Sequence, residues 1–512
     1  MDIRLNIISL IGVFFLCFVA WIFSENKRAV PWHIVKWGIA LQLLLGFLLF
    51  IAPVTRDIVS KVNDAMNILL DASEEGARFV FGDKLVPRKV TLKCELNPNS
   101  TELTNCFGND PVAFVKGNNA MYVEGPLIPE KTVVVSVDPG KGNITLNQPV
   151  TIKSKTVSPV TFNAVFYGSS YPLGYIFAFR ALPMVIFFSA LISLLYRLNL
   201  IQPVVKVFAV LFQKTMRISG AESLSGAANI FVGIESAIAI KPYLAGMTRS
   251  ELCAILASCF GSIASTVLGV YVAALRRNFP SITGHLMAAS VLTIPACFVL
   301  AKIIIPEDGK PLTMGGIPEE KDDGTPKPGY MDSFIKGAID GVGMAVGISA
   351  VLIGMLAVVE VLKVVMNGIV GIFYSGALKY SVLHYIFGAI FFPFTFLTGI
   401  SFNLSEVWEA SVLIGQRFFL NAIPSYNALP AMNNANIISD RTMLITSYVL
   451  CGFASLSSVG IFVGGLTNLI PDRVKDISSV TWKALFAATL ATFMTGCIAG
   501  LYEFGNPGLL GK

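Results

Sequence analysis

Cys259-Phe-Gly-Ser-Ile-Ala-Ser-Thr-Val267 and Phe453-Ala-Ser-Leu-Ser-Ser-Val459 carry one small-residue pattern at two places about two hundred residues apart, each within a long apolar segment. Each follows a hydrophobic stretch broken by polar residues and by glycine or proline. Paired, interrupted apolar segments at matching places in two halves of a membrane chain are where transporters build substrate and ion sites, because unwound backbone is tolerated there only if it lines a cavity. The pattern therefore predicts a secondary transporter.

Composition agrees with a bilayer as solvent. Of 512 residues, 54% are hydrophobic and 14% charged, too apolar for a set of soluble domains. Runs near 5–24, 34–53, 173–196, 251–275, 284–305, 341–366, 441–470 and 482–503 approach or exceed the roughly 20 residues that cross the hydrocarbon core. Two more, near 219–245 and 408–430, are long enough but interrupted. The first run lacks a basic leader and a small-residue cleavage site, so it is expected to be a retained span. A net charge of +6 spread over loops implies no nucleic-acid partner. Lys27, Arg28 and Lys36, then Lys206, Lys214 and Arg217, mark cytoplasmic loops and put the N-terminus outside, with Arg276 and Arg277 counting against this topology.

Between about 84 and 170 short alternating β-formers with turn residues replace the apolar runs, as in Thr132-Val-Val-Val-Ser-Val137 followed by Asp138-Pro-Gly-Lys-Gly142. Regular short strands of this kind predict a small inserted β-sandwich, placed outside by the topology. Its Cys94 and Cys106 are a disulfide candidate, because bridges persist outside the cell; one closing so short a loop would contribute about 3 kcal/mol. Cys17, Cys253, Cys259, Cys297, Cys451 and Cys497 lie in apolar runs and read as small core residues. Pro306 to Pro328, acidic and rich in Gly and Pro, is a solvated loop between two similarly built halves.

Polar groups at membrane depth carry the chemistry. In Ala221-Glu-Ser-Leu-Ser-Gly-Ala-Ala-Asn-Ile-Phe-Val-Gly-Ile-Glu-Ser-Ala-Ile-Ala-Ile-Lys-Pro-Tyr243, Gly226, Gly233 and Pro242 favour a re-entrant hairpin over a straight span. Glu235 falls midway along it, where an isolated carboxylate costs about 2.5–3.5 kcal/mol, so it is a functional candidate or a structural partner of Lys241 or Arg417. Glu222, just after Ser219, suits the positive end of a helix. In the second hairpin Asn421 either meets a substrate or satisfies backbone freed near Pro424. Ser455, Ser457 and Ser458 suit either a ligand or close helix packing.

At these residues the chain resembles the concentrative nucleoside transporter family over nearly its whole length apart from the β insertion. The matching stretches are Phe177-Ala-Phe-Arg-Ala-Leu-Pro-Met-Val-Ile-Phe-Phe-Ser-Ala-Leu-Ile-Ser193, Ala221-Glu-Ser-Leu-Ser-Gly-Ala-Ala-Asn-Ile-Phe-Val-Gly233 and Cys451-Gly-Phe-Ala-Ser-Leu-Ser-Ser-Val-Gly-Ile461. The resemblance implies an all-α polytopic membrane protein with inverted repeats, two re-entrant hairpins, about eight transmembrane helices, interfacial helices and a homotrimer, here with a small all-β extramembrane domain. On that basis residues 1–83 are N-terminal scaffold helices, 84–170 the β-sandwich-like insertion, and 171–218 a third span with an interfacial helix. Residues 219–305 form the first transport repeat, 306–332 a cytoplasmic loop, 333–401 a long scaffold span with an external helix, and 402–512 the second repeat.

The resemblance further implies a sodium ion held by the side chains of Asn229 and Ser262 and the carbonyls of Val232 and Ile263, with protons as the alternative coupling ion and no other cofactor. Oxygen donors at half-helix ends suit a hard cation. For the substrate it implies Glu235, Ser236, Val267, Asn421, Phe453, Ser455 and Ser458. Here the chain departs from the family. Gly233-Ile-Glu-Ser-Ala-Ile238 is one residue shorter than the family's Gly-Gln-Thr-Glu-Ala-Pro and lacks its Gln and Thr, Asn421-Ala-Ile423 replaces Asn-Glu-Phe, and Ser455 replaces an Asn. Losing an acceptor for a ribose hydroxyl redirects specificity. The expectation is a cation-coupled importer of nucleosides or nucleoside-like compounds in the plasma membrane, bacterial inner membrane included, in contact with lipid. The alternatives are an importer of another small molecule and a transport-incompetent receptor. No enzyme motif is present, and His33, His285 and His384 fall in separate regions.

Overall fold

The computed structural model describes residues 3–51, 53–82, 85–86, 89–96, 100–107, 122–124, 132–138, 143–148, 160–167, 176–180, 182–231, 233, 236–237, 240–263, 265–275, 279–314, 316, 329–373 and 381–505. It divides into two units, residues 1–68 with 185–512, and residues 69–184.

The larger unit is helical. Five described helices are long and apolar enough to cross a bilayer: Ile3–Ile22, Trp32–Phe50, Ala178–Arg197, Ile282–Ile304 and Pro471–Tyr502. Two expected spans are each broken in the middle. The run at 251–275 is α9 (Arg249–Gly261) and α10 (Ser265–Leu275), and the run at 441–470 is α16 (Asp440–Leu450) and α17 (Leu456–Leu469). The expected span 341–366 lies inside α12 (Tyr330–Phe373), a helix of 44 residues that continues through several glycines, Asn367-Gly368 among them. Helices α11 (Ile282–Ile304) and α18 (Val474–Tyr502) are buried over most of their length and form the core, joined where Thr293 and Thr495 hydroxyls meet at 2.9 Å.

Local chemistry fixes the helix starts. Ser219 Oγ accepts from the Glu222 amide (3.2 Å) while Glu222 Oε2 accepts from the Ser219 amide (3.0 Å), a reciprocal box that begins α7 (Gly220–Asn229). Thr248 and Glu251 repeat the arrangement at the start of α9, at 3.1 and 2.9 Å. In the second half α14 (Leu404–Phe419) ends at Leu420, Asn421 caps α15 (Ala422–Asn434), and Ser425 Oγ donates back to the Leu413 carbonyl at 2.8 Å, closing the two arms on each other.

The two breaks lie against one another. A side chain at Gly452 would overlap the carbonyl oxygen of Gly261, so the backbones of the two interrupted spans approach where only glycine fits. Gly452→Ala is therefore expected to destabilise the protein by about 1–3 kcal/mol, the usual cost of overpacking. Gly460→Ala, whose methyl meets nothing within 4 Å, is the silent control, and thermal unfolding of the two variants checks the difference.

The smaller unit carries six described strands: β1 (Lys89–Leu96), β2 (Glu102–Phe107), β3 (Tyr122–Glu124), β4 (Val134–Asp138), β5 (Asn143–Leu146) and β6 (Val160–Tyr167). They form one antiparallel sheet in the order β3-β6-β1-β2-β5-β4, where two sheets of a sandwich were expected; alternation identifies a strand's buried face but not how many sheets share the core. Ile144 and Leu146 supply that buried face on β5. Entry and exit of the insertion meet, with Phe81 and Phe179 rings 5.0 Å apart and Arg180 3.7 Å from Glu74. Lys93 pairs with Phe107 and Glu95 with Thr104, so Cys94 and Cys106 stand on neighbouring strands at a register shift; their side chains lie outside the described residues.

Candidate functional site

Asn229 ends α7 and Ser262 closes α9, and Ser258 links them. Asn229 Nδ2 donates to Ser258 Oγ at 3.3 Å, and one helical turn on the Ser262 amide donates to the Ser258 carbonyl at 3.1 Å. Ser258 is held in turn by donating to the Ile255 carbonyl at 2.8 Å. This leaves Asn229 Oδ1 and Ser262 Oγ buried with no hydrogen-bond partner among the described residues. Both residues are almost completely inaccessible, as is Ile263 beside them. Orphaned buried oxygens are costly unless something fills them, and neutral oxygens at a helix end and a chain break are the donors a hard monovalent cation takes. Val232 and Glu235 lie outside the described residues. Among the described residues no group of three His, Cys, Asp or Glu side chains could hold a metal, so a multivalent site of that type has no support there.

Ser236 is fully buried, and its hydroxyl is 3.4 Å from that of Ser225, which shows the chain turning back alongside α7 after Asn229. Glu222 is occupied with the helix start and with Lys302 Nζ at 2.6 Å, the structural role its position after Ser219 suggests.

Around the break in the second half Phe453 joins a row of aromatic rings. Phe453 lies 6.1 Å from Phe462 and 6.4 Å from Tyr271, and Tyr271 stacks on Tyr426 at 4.5 Å. Phe260 completes the row, edge-on to Phe462 at 5.2 Å. The row joins α9, α17, α10 and α15. Val267, buried one turn before Tyr271, lies on the same helix as that ring.

Several hydroxyls in this region are spent on the fold. Ser458 Oγ donates to the carbonyls of Phe453 and Ser455 and accepts from the Ser455 amide, so it stabilises the break itself. Ser455 Oγ pairs with Ser457 Oγ at 3.0 Å, and Ser457 donates to the Leu420 carbonyl at 2.8 Å, fastening the start of α17 to the turn between α14 and α15. Asn421 Oδ1 accepts from the Ile423 amide at 2.9 Å, which serves the backbone at the start of α15 near Pro424. Ser258, Tyr271, Tyr426 and Phe462 were not anticipated from the sequence. The four-residue spacing of Ser258 and Ser262 on α9 was the available signal for the first; the rings gave none.

Three family models match in order: "Na+ dependent nucleoside transporter N-terminus" over residues 11–84, "Nucleoside recognition" over 178–277 and "Na+ dependent nucleoside transporter C-terminus" over 285–500. An uncharacterized transporter of Haemophilus influenzae is 35% identical over 347 residues, covering 66% of this chain and 80% of that protein. The mouse sodium/nucleoside cotransporter 2 is 27% identical over 519 residues, covering 97% of this chain but 62% of its own length, so the chain spans under two thirds of that relative. A solved structure of CNTnw in an inward-facing substrate-bound state superposes with a TM-score of 0.72 at 27% identity, covering 97% of this chain and 98% of the other.

Proposed function

The chain belongs to the concentrative, Na+-dependent nucleoside transporter family, and on that premise we propose that it imports nucleosides or close relatives by coupling them to sodium entry. It is an integral membrane protein, placed in the plasma membrane by that family and its apolar helices. The observation that carries the ionic half is the pair of buried, unpartnered oxygens on Asn229 and Ser262. Sodium bound between them would fasten the end of α7 to the break after α9, and one charge moving inward gains about 2.3 kcal/mol per 100 mV of membrane potential.

The cargo lies where the two breaks and the second hairpin meet. Phe453, backed by Tyr271 and Phe462, offers a flat apolar face to a base, and the Asn421 NH2 offers a donor. Glu235 supplies a carboxylate to the same ligand in this reading. Ser455 and Ser458 act by holding the break open in shape more than by touching the cargo. A homotrimer around α12 is supported by its broad exposed apolar surface, including Ile335, Ile339, Val346, Ile353 and Val361. The β insertion faces outside.

Counterflow of labelled uridine and adenosine in proteoliposomes, repeated with Glu235→Gln, tests the reading; binding without accumulation would mean a receptor instead. Phe453→Ala is expected to raise the nucleoside KM a few-fold to tenfold, since aromatic pairing contributes about 0.5–1.5 kcal/mol beyond area burial. Its effect on the sodium dependence should be small.

A further inference from the structure

We propose that the turn between α14 and α15 holds a carboxylate or similar two-oxygen anion, bound side-on by Arg417. This side chain is wholly buried in the last turn of α14, just before the chain breaks at Leu420 and Asn421. Its Nη1 is satisfied, donating to the Val449 carbonyl at 2.6 Å and to Thr492 Oγ1 at 3.1 Å. Nε and Nη2 are buried and have no hydrogen-bond partner among the described residues. These two nitrogens form one edge of the guanidinium plane, with parallel N–H bonds spaced to meet both oxygens of a carboxylate. A single vacant donor could be filled by water; a vacant edge on a buried cation has the shape and charge of an anion site.

Among the described residues its surroundings supply no internal acid. The electrostatic neighbours of the guanidinium are Tyr271, Tyr426 and Cys451, ordinarily neutral at pH 7. From Phe418 to Tyr426 the turn contains no Asp or Glu. Two helices begin at the same place, α15 at Asn421 and α17 at Ser455, tied together by Ser457 donating to the Leu420 carbonyl. The anion has two sources with one chemistry: an acidic group on the cargo, which rests on the transport reading, or a small free carboxylate from solution.

Sodium formate added to the purified full chain, at constant sodium and ionic strength balanced with chloride, is the probe. A saturable rise in melting temperature is expected, with the half-saturating formate concentration at least tenfold higher in Arg417→Lys, which keeps the charge and loses the edge. Competition of a nucleoside 5′-carboxylate against uridine uptake, relieved by the same substitution, would place the acid on the cargo. Formate binding without that competition would place a free anion at the site. No saturable shift in the unaltered protein, or equal midpoints in both proteins, overturns the proposal. Where the lysine variant does not fold, saturation-transfer NMR of formate on the unaltered protein decides, and absence of transfer overturns it. Sodium-driven uridine uptake that persists without any formate binding would sink this site and leave the transport reading standing.

Discussion

Alanine at Asn229 should raise the sodium concentration that half-saturates nucleoside uptake by about ten- to a hundredfold. A bond to a charged group contributes about 1.5–3 kcal/mol, and Oδ1 of Asn229 has no other buried partner to fall back on among the described residues. Ser262→Ala should act in the same direction. The double substitution should fall short of the product of the two, because both oxygens would serve one ion. Initial rates in proteoliposomes across a sodium series check this. A half-saturating concentration unchanged in Asn229→Ala would remove that residue from the ion site.

Lys302→Met should destabilise the protein by about 3–5 kcal/mol, the cost of leaving a buried charge without its partner. Lys302 is 3% exposed and its Nζ reaches Glu222 at 2.6 Å and Glu307 at 3.0 Å. Glu222 is 1% exposed and also accepts from the Ser219 amide, while Glu307 accepts from Thr248 Oγ1 at 3.1 Å. One ammonium thus ties the starts of α7 and α9 to the end of α11. Adding Glu222→Gln should recover much of the loss, since the uncompensated carboxylate disappears with it. By contrast, Arg249→Ala, which breaks a pair with Glu25 whose members are 42% and 30% exposed, should cost under about 1 kcal/mol. Thermal unfolding of the three variants separates the cases, and a Lys302→Met melt like that of Arg249→Ala would refute the account of the cluster.

Those features that repeat or that obey local rules could be read from the chain. The small-residue runs at Cys259–Val267 and Phe453–Val459 marked where the two interrupted spans approach, because such residues allow backbones to come close, as Gly261 and the neighbouring Gly452 do. The Ser219 and Glu222 spacing announced a helix start for the same kind of reason. Cys253, Cys259, Cys297, Cys451 and Cys497 are buried and Cys17 is half-buried, as their apolar surroundings suggest.

What the sequence concealed depends on partners far along the chain. Ser458 looked available to a ligand, yet its bonds go to its own break. Arg417 bonds through Nη1 to a carbonyl and a threonine 32 and 75 positions away, partners that no local pattern names. Tyr271 and Tyr426 stack across 155 residues of sequence, and nothing in either apolar run marks them as neighbours. Apolar periodicity also hides helix ends, so the apolar run at 341–366 marks only the middle of the 44-residue α12.

Sodium and nucleoside must strengthen one another's binding if the ion fastens the end of α7 to the break beside the cargo, and the coupling factor must be the same whichever is added first. The decisive measurement is the dissociation constant of uridine for the purified protein at low and at saturating sodium, with choline as the balancing cation. At least a tenfold tightening by sodium is expected, abolished in the Asn229→Ala, Ser262→Ala double variant. Equal uridine affinity with and without sodium in the unaltered protein would contradict the account.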